Sequence, residues 1–231
     1  MAFDIERLPG MMDITSVSMD STLNDVKQTC EIAKAYSCAA TCVNPSYLSF
    51  SIKNTIGSSL LHAVTVGFPY GCDLTSVKVY AAKQLELVGA EELDVVMNVG
   101  AFLSGNRNYT RQDIEAVCDA VKIPVKVIIE TALLDDQQIV EAALLVSKTK
   151  AAFIKTSTGF MGKPTTADMV RRIKDAVGDQ KQIKASGGIR TLEDFVAIAE
   201  AGADRFGVGY KSALAVLHEI DDKLGREHLF D

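Results

Sequence analysis

Phe153-Ile154-Lys155-Thr156-Ser157-Thr158-Gly159 and, beyond an intervening helical stretch, Ile183-Lys184-Ala185-Ser186-Gly187-Gly188 decide the reading of this chain. Each is a short apolar run that ends in small polar residues. Between them, Thr166 to Val177 carries apolar residues at helical spacing. Strand, helix and strand in that order form a βαβ unit, because two parallel strands need a crossover connection. A lysine lies inside each strand. An ammonium group within an apolar strand is costly to bury unless it is paired or has lost its proton. A second cation nearby favours the neutral amine, and a neutral amine attacks carbonyl carbon to form a Schiff base. Two lysines one βα unit apart therefore point to imine chemistry.

The same rhythm runs outward in both directions. Strands are expected over Met11 to Val17, Cys38 to Val43, Leu60 to Phe68, Glu92 to Asn98, Val125 to Glu130, Ala152 to Thr158, Gln182 to Ser186 and Ala203 to Gly209. Helices are expected from Thr22, over Ser46 to Ile56, Thr75 to Val88, Arg111 to Val121, Asp135 to Lys150, Thr166 to Val177, from Thr191 to near Gly202, and from Ser212 to Lys223. Ser104 to Asn108 reads as part of a longer polar loop. Eight strand–helix units in 231 residues suit a single (β/α)₈ barrel over 1–231, a fold that typically needs about 250 residues. The rival, an open doubly wound sheet, usually needs fewer strands, and no GxGxxG follows the first one.

Composition removes other classes. The net charge of -6 disfavours a phosphodiester partner, so no nucleic acid is expected. No stretch is long and apolar enough to span a bilayer. The amino terminus, Met1-Ala2-Phe3-Asp4-Ile5-Glu6, lacks a secretory pattern. The five cysteines form no CxxC pair, and a reduced cytoplasmic setting is expected. His62, His218 and His228 do not cluster with cysteines at ligand spacing, so zinc is not expected.

In a barrel of this kind chemistry takes place at the carboxyl ends of the strands. Asp13, Asp94, Lys126, Glu130, Lys155 and Lys184 all sit in strand-like runs, where a charged side chain must face the interior or the helix layer. Asp94 is either an acid of the site or a structural partner of Lys126. Glu130 reads as structural, a strand-end carboxylate binding loop amides. Cys42 reads as buried core rather than a nucleophile. Ser186-Gly187-Gly188-Ile189-Arg190-Thr191 is a phosphate-site candidate, since paired glycines allow close backbone approach and the next helix aims its free N–H groups at the same point. Thr191 as N-cap with Asp194 is a compatible structural reading. Gly207-Val208-Gly209 would form the other wall.

These runs resemble the deoxyribose-phosphate aldolase family, class I aldolases on a (β/α)₈ barrel. The resemblance extends from about Met12 to Leu217. Seven runs carry it in order: Met12-Asp13-Ile14-Thr15, Cys42-Val43-Asn44-Pro45, Val66-Gly67-Phe68-Pro69-Tyr70-Gly71, Glu92-Leu93-Asp94-Val95-Val96, Lys126-Val127-Ile128-Ile129-Glu130-Thr131, and the two lysine runs, the second continuing to Thr191. The resemblance implies reversible cleavage of 2-deoxyribose 5-phosphate to acetaldehyde and glyceraldehyde 3-phosphate, a step of nucleoside catabolism. It implies that Lys155 forms the imine, that Lys184 is the second lysine lowering the first one's pKa, and that Asp94 relays protons with Lys184 and water. It assigns Gly187 and Gly188 to the phosphate. Gly207, Gly209, Thr158 and Asp13 complete the expected substrate-binding set. No metal or other cofactor is expected, because the protonated imine is itself the electron sink. The partner expected is a phosphorylated sugar, and a homodimer is expected as the assembly.

Two departures stand out. Family members often carry a Ser-Ser pair after the strand-eight glycine, whereas this chain has Gly207-Val208-Gly209-Tyr210-Lys211-Ser212. Backbone N–H groups of Gly209 and Tyr210, with Lys211 as countercharge, would stand in for the hydroxyls. Some members end in a tyrosine that assists proton transfer, whereas this chain ends His228-Leu229-Phe230-Asp231, and a differently relayed proton step is expected. The alternatives are a related class I aldolase with another acceptor aldehyde and a non-catalytic sugar-phosphate-binding barrel.

Overall fold

Parallel strands pair in strict sequence order, and the last pairs with the first: β1 (Met12–Ser16), β2 (Ala40–Val43), β3 (Leu61–Val66), β4 (Glu92–Val96), β5 (Val125–Ile128), β6 (Phe153–Lys155), β7 (Gln182–Ser186) and β8 (Arg205–Gly209). The result is the closed (β/α)₈ barrel that the alternation predicts. This computed structural model describes residues 3–230. Met1, Ala2 and Asp231, quoted above at the chain ends, lie outside the described residues. The helices are α1 (Leu23–Ala35), α2 (Leu48–Asn54), α3 (Thr75–Val88), α4 (Val99–Leu103), α5 (Arg107–Ala120), α6 (Asp136–Ser147), α7 (Ala167–Val177), α8 (Leu192–Glu200) and α9 (Tyr210–Leu224).

Local sequence accounts for the helix ends. Thr22 caps α1 by accepting from the Asp25 N–H, and the Asp25 carboxylate accepts the Thr22 N–H at 2.7 Å, a reciprocal capping box. Asp135 and Gln138 do the same for α6. Gly89 closes α3 at φ 114°, a conformation that costs glycine nothing.

The strands bury two different layers. Alternate residues point outward, and Ile14, Val64, Leu93, Val95, Val127, Ile154, Ile183 and Phe206 pack with the helices in one large apolar cluster. On the interior face Ala40, Cys42 and Ala63 form a separate small cluster. That face also carries charge: Asp13, Glu92, Asp94, Lys126, Lys155 and Lys184 are all buried. The main hydrophobic stabilisation thus lies between barrel and helices, which frees the interior for chemistry.

Several boundaries differ from expectation. The polar loop after β4 contains a short helix, α4, and α5 begins at Arg107, because Asn98 and Asn106 each accept an N–H as side-chain caps. β6 stops at Lys155 rather than Thr158. There the Thr156 side chain takes over the ladder, its Oγ1 accepting the Ser186 N–H at 2.9 Å. β5 stops at Ile128, and Glu130 turns into the left-handed region at φ 55°.

Candidate active site

A cavity of about 420 Å³ opens at the carboxyl ends of the strands. Lys155 lies in its floor, and Thr158, Gly187, Gly188, Gly207 and Gly209 line its walls. The strand-end loops thus bring together six of the nine residues expected from sequence. The other three, Asp94, Lys184 and Asp13, are fully buried beneath that floor and do not line the cavity.

Asp94 is the hub. Its Oδ2 accepts from Lys155 Nζ and from Lys184 Nζ, each at 2.7 Å. The two amino groups therefore lie within twice that distance of one another, joined through one carboxylate oxygen. Lys184 Nζ also lies 2.5 Å from Asp13 Oδ2. The β6–β7 register sets this up, pairing Lys155 directly with Lys184. Burial pushes the Asp94 carboxyl up, but Lys155, Lys184 and Lys126 together outweigh it and hold the group well below the usual carboxylate range. Burial likewise disfavours charge on Lys184, yet Asp13 and Asp94 override it and raise its pKa above the ordinary lysine value. Lys184 is thus a fixed cation beside Lys155, which is the electrostatic condition a nucleophilic amine needs.

Asp13 occupies a place that sequence did not foresee. It is not at the cavity wall; its oxygens accept from Lys126 at 2.9 Å and Arg205 at 2.7 Å, besides Lys184. Burial raises its carboxyl, and these cations reverse that and lower it. Its direct contacts are with the base of the lysine cluster.

Lys126 lies 3.6 Å from Asp94 Oδ1, so Asp94 is both an acid of the lysine pair and a partner of Lys126. Lys126 also contacts Glu92, and Arg205 reaches Glu92 at 3.4 Å. Glu92 and Arg205 were missed in the sequence. The signal was present, since Glu92 lies two residues before Asp94 and so shares its face. Cys42 is buried 3.8 Å from Asp94 Oδ2. Burial and that carboxylate push its thiol up to about 12, the state of an inert core cysteine. Glu130 accepts the Thr158 N–H at 3.1 Å, the loop-amide role read from its position.

The walls suit an anion. Gly187 and Gly188 have φ of 100° and 70°, and a Cβ on Gly188 would lie 2.7 Å from the Pro164 Cβ. The Thr165 N–H donates to the Gly187 carbonyl at 2.9 Å, which locks this turn against the loop after β6. At α8, Thr191 caps the Asp194 N–H as expected. The 15-residue α9 instead has Gly209 at its N-cap and no side-chain cap, and Gly209, Tyr210, Lys211 and Ser212 all line the cavity. Uncapped N–H groups and a positive dipole end favour a bound anion. Arg190 and Lys211 add cationic side chains to the lining.

Two further features escaped sequence reading. Phe160 lines the cavity and packs edge-on against Phe68 with ring centroids 5.3 Å apart, which makes one wall apolar. Tyr210 donates its phenol to Asp25 at 2.6 Å. Hydrogen bonds from Thr22 and Tyr210 hold the Asp25 carboxyl at about 2, so a carboxylate also borders the cavity.

Comparison with known proteins adds an independent line. Residues 9–217 match the model of the DeoC/LacD family aldolases. Deoxyribose-phosphate aldolase 2 of Staphylococcus aureus (strain MRSA252) is 42% identical over 198 residues, covering 85% of this chain and 90% of that relative. Deoxyribose-phosphate aldolase 1 of Staphylococcus aureus (strain N315) is 43% identical over 197 residues, with the same coverage of 85% and 90%. Among solved structures, the tetrameric deoxyribose phosphate aldolase from Aeropyrum pernix superposes with a TM-score of 0.84 at 29% identity, covering 94% of this chain and 92% of that one.

Proposed function

The chain belongs to the DeoC/LacD aldolase family, and from that premise we propose that it cleaves 2-deoxyribose 5-phosphate reversibly through a Schiff base on Lys155. The observation that carries this reading is the position of Lys155: of the four cationic side chains inside the barrel, it alone opens on the cavity. Its amine attacks the aldehyde carbon of the open-chain sugar. Loss of water gives a protonated imine, which withdraws electrons from the neighbouring C–C bond. Asp94, acting with Lys184 and water, takes the proton of the C3 hydroxyl as the C2–C3 bond breaks and glyceraldehyde 3-phosphate leaves. The enamine left on Lys155 is protonated at C2, and hydrolysis releases acetaldehyde and restores the amine.

The phosphate sits against Gly187, Gly188, Gly207 and Gly209, with Thr158 at the rim. Asp13 acts from beneath, by holding Lys184. The uncapped start of α9 supports this placement. A homodimer belongs to the same reading, and solution mass measurement checks it.

Borohydride reduction in the presence of 2-deoxyribose 5-phosphate, followed by peptide mass mapping, tests the reaction. An adduct on Lys155 is expected; its absence, or an adduct on another lysine, would sink the assignment. A second reading, a related aldolase with another acceptor, is favoured by the charged Asp25 at the cavity. A panel of phosphorylated and unphosphorylated sugars separates the two.

A further inference from the structure

The proposed phosphate grip includes a turn with little of its own to hold it. Gly209, at the N-cap of α9, supplies no side-chain cap, and no atom lies within 4 Å of a Cβ built there. A glycine in such open space leaves the backbone free to take several conformations. At α8, which follows the Gly187-Gly188 turn, Thr191 caps the Asp194 N–H and fixes the first turn locally. α9 has no such device.

The first residue of α9, Tyr210, reaches outside the helix instead. Its phenol donates to Asp25 Oδ1 at 2.6 Å, across 185 residues of chain. Asp25 lies in the first turn of α1. Its other oxygen, Oδ2, accepts from the Thr22 N–H at 2.7 Å and from the Thr22 hydroxyl at 2.6 Å. One carboxylate thus joins the starts of α1 and α9. Barrel closure brings these starts together, because β1 pairs with β8 and sets Thr15 opposite Gly209. Tyr210 and Asp25 both line the cavity.

The polarity of the link is fixed. Hydrogen bonds from Thr22 and Tyr210 hold the Asp25 carboxyl at about 2, so it stays ionised and only accepts. The phenol hydrogen is committed to it and is not offered to a phosphate oxygen. Lys211 Nζ lies 5.6 Å from the centroid of the Tyr210 ring, so that ring also supports a cation of the cavity lining.

We propose that the Tyr210–Asp25 hydrogen bond is a latch that fixes the first turn of α9 against α1 and thereby sets the preference for a phosphorylated substrate. The Tyr210 phenol and Asp25 act as positioning groups. The phosphate meets the N–H groups at the start of α9, and the latch holds those groups in place. This deepens the proposed function and rests on it.

The test is the ratio of kcat/KM for 2-deoxyribose 5-phosphate to that for unphosphorylated 2-deoxyribose. Tyr210→Phe keeps the ring beside Lys211 and removes only the hydroxyl. The ratio should fall about fivefold or more, the scale of a lost hydrogen bond to a charged group. The fall should come from a higher KM for the phosphorylated sugar, and the inhibition constant of inorganic phosphate should rise by a similar factor. In an Asp25→Ala background the phenol has no partner, so Tyr210→Phe should change the ratio little further, as a contacting pair behaves in a double-mutant cycle. Should Asp25→Ala fail to fold, the inorganic phosphate measurement on Tyr210→Phe decides alone. An unchanged ratio and phosphate inhibition in Tyr210→Phe, equal losses with both sugars, or effects that multiply in the double variant would overturn the latch. Wild-type labelling of Lys155 and a wild-type preference for the phosphorylated sugar would then leave the proposed function intact. A wild type without that preference would remove the phosphate site and the latch together.

Discussion

Replacing Gly188 with alanine separates the phosphate grip from the imine chemistry. Gly188 has φ 70°, and its added Cβ would sit 2.7 Å from the Cβ and 2.8 Å from the Cα of Pro164. The left-handed conformation alone costs a non-glycine residue about 1–2 kcal/mol. Overpacking against a proline, whose atoms cannot swing aside, adds about 1–3 kcal/mol. The turn can escape the overlap by moving, since it lies on the cavity side of β7, but its N–H groups then leave the phosphate. Each lost hydrogen bond to a charged group is worth about 1.5–3 kcal/mol, or roughly 10- to 150-fold in affinity. KM for 2-deoxyribose 5-phosphate should therefore rise at least about tenfold, while kinetics with unphosphorylated 2-deoxyribose change little. Gly10→Ala is the control. Gly10 lies before β1, away from the cavity, has no positive φ, and no atom lies within 4 Å of an added Cβ, so its kinetics should stay close to wild type. Steady-state kinetics with both sugars, alongside urea unfolding, give the comparison. Equal losses with both sugars in Gly188→Ala would refute the assignment of this turn to the phosphate.

Other consequences are simpler to read. Iodoacetamide at pH 8 should label Cys72 alone among the cysteines of the folded protein, because the other four are buried and burial pushes each of their thiols up; mass spectrometry before and after denaturation checks this. Lys78→Met should destabilise the fold by about 3–5 kcal/mol, since it strands the buried Asp113 carboxylate now 2.7 Å from the amine. Pairing it with Asp113→Asn should recover part of the loss in urea unfolding. Asp13 and Asp94 have carboxyl groups lowered by folding. Their contribution is complete above the unfolded value near 4 and is lost as pH falls through their lowered folded values. Lys184 is raised, so its contribution is complete below the unfolded value near 10.4 and is lost at still higher pH. The urea midpoint should accordingly be lower at pH 3 than at pH 7, and an unchanged midpoint would refute the ion-pair account.

The barrel was legible because its outer strand faces and helix stripes obey simple periodicities. Val125, Val127, Leu93 and Val95 alternate with charged residues, and that alternation marks a strand whether or not its interior face is apolar. Lys155 and Lys184 were legible for the opposite reason, as ions where the pattern demands hydrocarbon. The depth of each ion was not. Asp13 and Asp94 look alike in one dimension, but depth depends on strand stagger around the closed sheet, which the sequence leaves implicit. Arg205 was hidden by strand length, since an expected start at Ala203 makes it an unremarkable interior position. The wall formed by Phe160 and Phe68 joins loops after β6 and β3, and no local spacing records that meeting.

This division between layers explains why the barrel tolerates so many buried ions. Interior charges would ordinarily compete with folding, because their desolvation can outweigh their mutual attraction. Here the apolar core lies in the annulus between strands and helices, where Leu93, Val127, Ile154, Ile183 and Phe206 are fully buried. Interior residues can therefore be chosen for charge at little cost to that packing. A hydrophobic replacement at Lys126 that also removes Glu92 should consequently leave a folded barrel. Urea unfolding of such a variant checks this.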